Sequence, residues 1–91
     1  MAPKKDDPQE MEKMRQWLGA AATELDLDQK TIAEVEQPLL GLIGTVAHGP
    51  SRPGAPLSAY LVGVAVGRGA DPEQAISQLT QLAESYPSTG R

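Results

Sequence analysis

The chain has no cysteine, no phenylalanine, a single histidine and three aromatic residues, Trp17, Tyr60 and Tyr86. Without cysteine, disulfides and thiolate metal sites are excluded. One histidine then leaves no zinc site, and no cofactor is expected. With so few aromatics, a core must be assembled from Leu, Ile, Val and Ala. No apolar run approaches the ~20 residues that cross a bilayer. The best, residues 57–67, is about half that length. The N-terminal lysines are followed by no apolar segment, so a secretory signal is not expected. The cytoplasm is the expected location, and a membrane is not an expected partner. Basic residues are few and scattered in a chain of net charge −4. A phosphate-backbone binder wants a basic stripe, so nucleic acid is not an expected partner either.

What is present is helical periodicity. Residues 1–8 are charged, contain Pro3 and Pro8, and read as a disordered tail. Residues 9–86 read as a single helical domain and 87–91 as a C-terminal tail. Met11, Met14, Leu18, Ala21 and Leu25 recur at helical spacing, with Trp17 beside them. Asp28 is suited to cap a second helix that carries Ile32 and Val35 inward. Gln37-Pro38 predicts a break, with Pro38 opening a new helix at its first position. Leu39, Leu42, Ile43, Val46 and Ala47 then form a stripe that includes Gly41 and Gly44. Gly49 suits a left-handed helix terminus, and Pro50 prevents continuation. From Leu57 the chain is apolar on all faces, which predicts a buried central helix over 57–68. Asp71-Pro72-Glu73-Gln74 is a capped helix start with capping-box character. The stripe Ala75, Ile76, Leu79, Leu82, Ala83 and Tyr86 follows, and Pro87 ends it. No strand-like alternation appears. The expected class is all-α: a small bundle of four main helices, the second split at Pro38, around helix 57–68.

Candidate sites cluster at the joint before that helix. His48 would need a nucleophile and an orienting acid to act in catalysis. Ser51 and Ser58 are near in sequence, but no carboxylate lies between Glu36 and Asp71. His48 is therefore expected to engage the last carbonyls of its own helix, where positive charge is favoured. Arg52 stands alone in the stiff loop 48–56, which carries Pro50, Pro53 and Pro56. Together with His48 and the free amides of the next helix, it can hold a phosphate, or a carboxylate of a partner protein. The competing account is an exposed arginine bonded to loop carbonyls. Asp26 and Asp28 offer oxygens of the kind hard cations take, but their place between helices fits caps. Gly67-Arg68-Gly69 follows a helix rather than a strand and reads as a helix terminus. Ala59, Gly63 and Gly67 put small residues on one face, which fits close approach of another helix in the same core. A self-association face is the lesser reading.

The run Val46-Ala47-His48-Gly49, then Arg52-Pro53, Ala55-Pro56-Leu57 and Leu61-Val62-Gly63 with Ala65 and Gly67, resembles a small uncharacterised actinobacterial helical domain. Trp17-Leu18 fits it as well. That domain occurs alone or fused to the molybdenum cofactor guanylyltransferase, molybdopterin-guanine dinucleotide biosynthesis protein A. The resemblance spans residues 15–85 and carries no catalytic residues over. It implies an accessory role near molybdopterin guanine dinucleotide synthesis. The expected function is thus a non-enzymatic interaction module. It would bind a protein partner or an anionic ligand through loop 48–56, with His48, Ser51, Arg52 and Ser58 as contact residues. The alternative is a self-associating structural domain, so a monomer or a weak homodimer is expected.

Overall fold

The computed structural model describes residues 7–87. The expected tails 1–8 and 87–91 therefore fall largely outside the described residues. The chain is all-α, with no strand among the described residues. Its helices are α1 (Pro8–Glu24), α2 (Lys30–Ala33), α3 (Glu36–His48), α4 (Gly54–Gly67) and α5 (Pro72–Ser85). The stretch 9–86, read above as one helical domain, gathers its contacts into two units that divide between Glu34 and Val35.

In the first unit, α1 begins earlier than its apolar pattern. The Gln9 amide donates to Asp7 Oδ1 at 3.0 Å, and Pro8 takes the first helical position. Asp7 and Pro8, assigned to the tail from their charge and proline content, are instead the helix cap. A proline there forfeits no bond, because the first amides of a helix have no partner within it. At the other end, Asp26 adopts a left-handed φ of 60°. The Leu27 amide then reaches the Ala22 carbonyl at 2.8 Å, and the Asp26 amide reaches Thr23 at 3.1 Å. This paired closure satisfies carbonyls the helix leaves open, and aspartate is among the few side chains that accept the conformation. Asp28 stands one residue before the cap position of α2, which Gln29 takes, and its Oδ1 still accepts the Lys30 amide at 2.8 Å, the kind of bond expected of it.

The break expected at Gln37-Pro38 lies upstream, at Glu34 and Val35. Pro38 is the third residue of α3, not the first. It has no amide for the Glu34 carbonyl four residues back, and its ring would collide with that carbonyl. The helix is therefore interrupted where the forbidden bond would end. Val35 leaves helical geometry (φ −117°, ψ 1°), and its carbonyl accepts the Leu39 amide at 2.9 Å.

The second unit packs α3 against both α4 and α5. Its core joins Leu42, Val46, Ala55, Val62, Ala75, Ile76 and Ala83, with Val35, Leu39, Ile43, Ala47, Val66 and Leu79 half-buried around them. Leu42 is wholly buried. The central helix is therefore α3, and the expectation of a buried helix 57–68 is corrected. Only Ala55 and Val62 of α4 are buried, whereas Leu57, Tyr60 and Leu61 are exposed by 60% or more. A helix that is apolar all round has no preferred face by pattern. In a three-helix unit, only the side that meets its neighbours can be covered. The small side chains took that side, because they let the helices approach. On α5, Leu82 and Tyr86 of the predicted stripe are also exposed. Tyr86 has extended geometry (φ −70°, ψ 131°) because Pro87 disfavours the helical form in the residue before it.

Gly41, Gly44, Gly63 and Gly67 are not there to admit a neighbour. A Cβ built at Gly41, Gly44, Gly63 or Gly67 meets nothing within 4 Å. The close helix packing expected across Gly63 is absent. Gly63→Ala should therefore stabilise the domain by about 0.5–1 kcal/mol through helix propensity. Leu42→Ala should cost about 2–5 kcal/mol by leaving a cavity. Urea melts at low protein concentration check both, and a less stable Gly63→Ala would mean that something covers that face.

Candidate functional site

The joint between α3 and α4 starts at His48, the exposed last residue of α3. Its Nδ1 lies 2.8 Å from the Gly44 carbonyl oxygen. A carbonyl only accepts, so Nδ1 is the donor in this contact. This is the helix-terminal role expected for His48. Gly49 follows, but not in the left-handed conformation expected of it: φ is −119° and ψ −102°. Glycine is needed here for a different reason. A Cβ would stand 2.9 Å from the Thr45 carbonyl oxygen. The chain turns on the Val46 carbonyl, which accepts the amides of Gly49 at 3.2 Å and Ser51 at 3.0 Å.

The loop is shorter than the 48–56 expected, since α4 opens at Gly54 rather than Leu57. Pro56 fits the first turn because no helical bond is lost there. Ser51 Oγ accepts the Gly54 amide at 3.1 Å, and the Arg52 carbonyl accepts the Ala55 amide at 3.1 Å. Pro56 has no amide at all. The amides expected to await an anion are thus already satisfied by the chain itself. Ser51 serves as a cap. The prolines concealed this, because they made the segment read as loop.

No hydrogen bond joins any two of His48, Ser51, Arg52 and Ser58 among the described residues. Ser58 is half-buried and lines a small apolar cleft of about 170 Å³ with Val46, Pro50, Leu79, Leu82, Ala83 and Tyr86. The Arg52 side chain is exposed, and its backbone carbonyl alone is engaged. A second, wider groove of about 410 Å³ runs between α3 and α5 over Leu42 and Ile76, rimmed by Thr45, Ser77, Thr80 and Gln81. No group of three or more His, Asp or Glu side chains suited to a metal occurs among the described residues. The Asp28 carboxylate holds the Lys30 amide, and Asp26 closes α1 through its backbone.

The most distinctive surface is the outer face of α4. Leu57, Tyr60, Leu61 and Val64 are exposed by 67, 70, 60 and 36%. At about 100° per residue, they share one arc of roughly 160° with exposed Gly63 and Gly67. Residues 54–67 contain no charge, and Arg52 and Arg68 stand just beyond the two ends. A sequence signal for this face exists. The bulky residues recur at i, i+3, i+4 and i+7 from Leu57, and the opposite side carries Ala55, Ala59, Val62 and Val66.

A family model for a domain of unknown function, DUF6457, matches residues 9–91, and the chain belongs to that family. No curated protein and no solved structure matches it.

Ser51 and Arg52 separate capping from contact. Ser51→Ala should cost about 1 kcal/mol, the usual loss of a helix cap. Arg52→Ala should shift stability by less than about 0.5 kcal/mol, as surface changes do. Chemical denaturation of the two variants checks this, and equal losses would mean that the arginine side chain ties down the loop.

Proposed function

We propose that this DUF6457 domain works without catalysis, as a protein-interaction module that docks through the outer face of α4 and the short loop before it. One observation carries the reading. Four large apolar side chains lie side by side in water on an uncharged helix, and no helix of their own unit covers them. Single exposed leucines need no explanation, but contiguous ones mark interaction surfaces. Burying each such side chain is worth about 1.5–3 kcal/mol before the costs of association. Arg52 and Arg68 at the ends favour carboxylates at the rim of the partner, where charges set specificity and encounter rate.

A catalytic role has little to support it. His48 Nδ1 is bound to its own helix, and the nearest acids in sequence are Glu36 and Asp71. The satisfied amides of Gly54 and Ala55 weaken the case for a free phosphate as ligand and favour a protein. No helix among the described residues is long and apolar enough to cross a membrane. The resemblance over residues 46–67 supports an accessory role beside the molybdenum cofactor guanylyltransferase, because the residues that carry it include this loop and this face.

Leu61→Asp tests the surface. Leu61 is outside the core, so helix content and melting should change little. Affinity capture from the native host, with partners identified by mass spectrometry, should lose its main partner more than tenfold, or about 1.4 kcal/mol. Unchanged capture with Leu61→Asp would place the contact elsewhere.

A further inference from the structure

The exposed face of α4 does not end with that helix. Ser58 shares the small cleft with Leu79, Leu82 and Tyr86, so the N-terminal half of α4 lies beside the C-terminal half of α5. The two helices are therefore antiparallel neighbours within the second unit. Around α4 the order is Val62, Ser58, Leu61, Leu57, in steps of about 40, 60 and 40°. Around α5 it is Ala83, Leu79, Leu82, in steps of about 40 and 60° and in the same rotational sense. Val62 and Ala83 are buried, whereas Leu57, Leu61 and Leu82 are exposed by 67, 60 and 55%. Antiparallel neighbours that turn outward in the same sense present those leucines on one side of the pair. Tyr86, 55% exposed, completes the wall of the cleft at the end of α5.

This two-helix face is uncharged. Residues 54–67 and 74–83 contain no acid or base. Beyond Leu82, the surface of α5 continues with exposed Gln78 and Ser85. Glu84 stands about 160° round the helix from Leu82 and so points away from the face.

We infer that this face takes a second copy of the chain, in an isologous dimer that lays the α4–α5 pair of one copy on the α4–α5 pair of the other. This rests on the proposal that α4 is a docking face; it extends that face to α5 and names its partner. Two observations select a copy as the occupant. The first is charge. A chain of net charge −4 sets like charges against its own copy through most surfaces. A two-fold pair brings one patch against the same patch, so an uncharged patch avoids that cost. The second is area. With Tyr60 and Val64 of α4, the exposed leucines and Tyr86 present roughly 500 Å² of apolar surface. Homodimer interfaces are ~65% apolar, so such a patch belongs to a contact of about 800 Å² per copy. That is the size of a standard stable interface. The outer face of α4 alone falls short of it, and α5 supplies the remainder.

Sedimentation velocity over a range of concentrations tests the dimer, with one variant on each helix. The wild-type chain should dimerise as its concentration rises. Leu57→Asp and Leu82→Asp should each raise the dissociation constant by more than about tenfold, as loss of a central apolar contact does. Leu57 is in the first turn of α4, where an acid is favoured, so this variant keeps its fold. Circular dichroism and urea melts at monomeric concentration check the fold of both. Leu25→Asp, at an exposed leucine outside the second unit, should leave the dimer unchanged. A wild-type chain that stays monomeric at all concentrations overturns the inference. So does a folded Leu82→Asp variant that dimerises as well as wild type, because α5 would then lie outside the contact. If the chain is monomeric while Leu61→Asp still loses a host protein, the docking face stands and only its occupant is wrong.

Discussion

The second unit depends on the burial of Leu42. It is the one large side chain of that unit wholly removed from water, and it sits where α3 faces both α4 and α5. Three of its partners in the core, Ala55, Ala75 and Ala83, are alanines. Alanine contributes little apolar area of its own, but it lets helix backbones come close. The helices therefore pack through small residues around a few aliphatic ones. Bulkier side chains of α4 are excluded from the contact by the same economy. The apolar outer face and the lean core are two results of one packing choice.

That choice has an energetic consequence. Small domains bury a low fraction of their surface and are correspondingly marginal. Here several of the largest apolar side chains, Leu57, Tyr60, Leu61, Leu82 and Tyr86, are spent on the surface. A partner that covers α4 adds burial that the fold did not supply, and binding to the folded state alone raises stability by mass action. Docking on that face would thereby be linked to folding.

Much of the architecture was legible in the sequence. Asp28 and Asp71 announced their helix starts by residue type and position, and each carboxylate accepts the amide it should. Gly69, with φ 106°, closes α4 as the Gly-Arg-Gly stretch suggested. The stripe of α3 lies inward as its spacing required. Three features were hidden for physical reasons. Asp7 and Pro8 looked like tail because charge and proline also mark disorder, yet the same two residues make a helix cap. Pro53 and Pro56 concealed the start of α4, because proline is compatible with a first turn as well as with a loop. The orientation of α4 was illegible from apolarity, which is the same on all sides; only side-chain size is periodic there, and it does not say which face turns inward. At the candidate site, the exposure of Arg52 and the helix-terminal bond of His48 followed from residue type. That Ser51 and the Arg52 carbonyl take up the α4 amides did not, because it depends on where the turn closes in space.

Trp17 is the only tryptophan of the chain, and it lies on the surface of the first unit, whereas the Leu42 core belongs to the second. The tryptophan fluorescence of this protein therefore comes from a residue outside the Leu42 core. Loss of the core would proceed almost unseen at tryptophan wavelengths. A blue shift, with reduced access to quenchers, would instead report that something has come to lie against α1. The one tryptophan of the chain stands in water, where it would read contact with another surface rather than burial in the core.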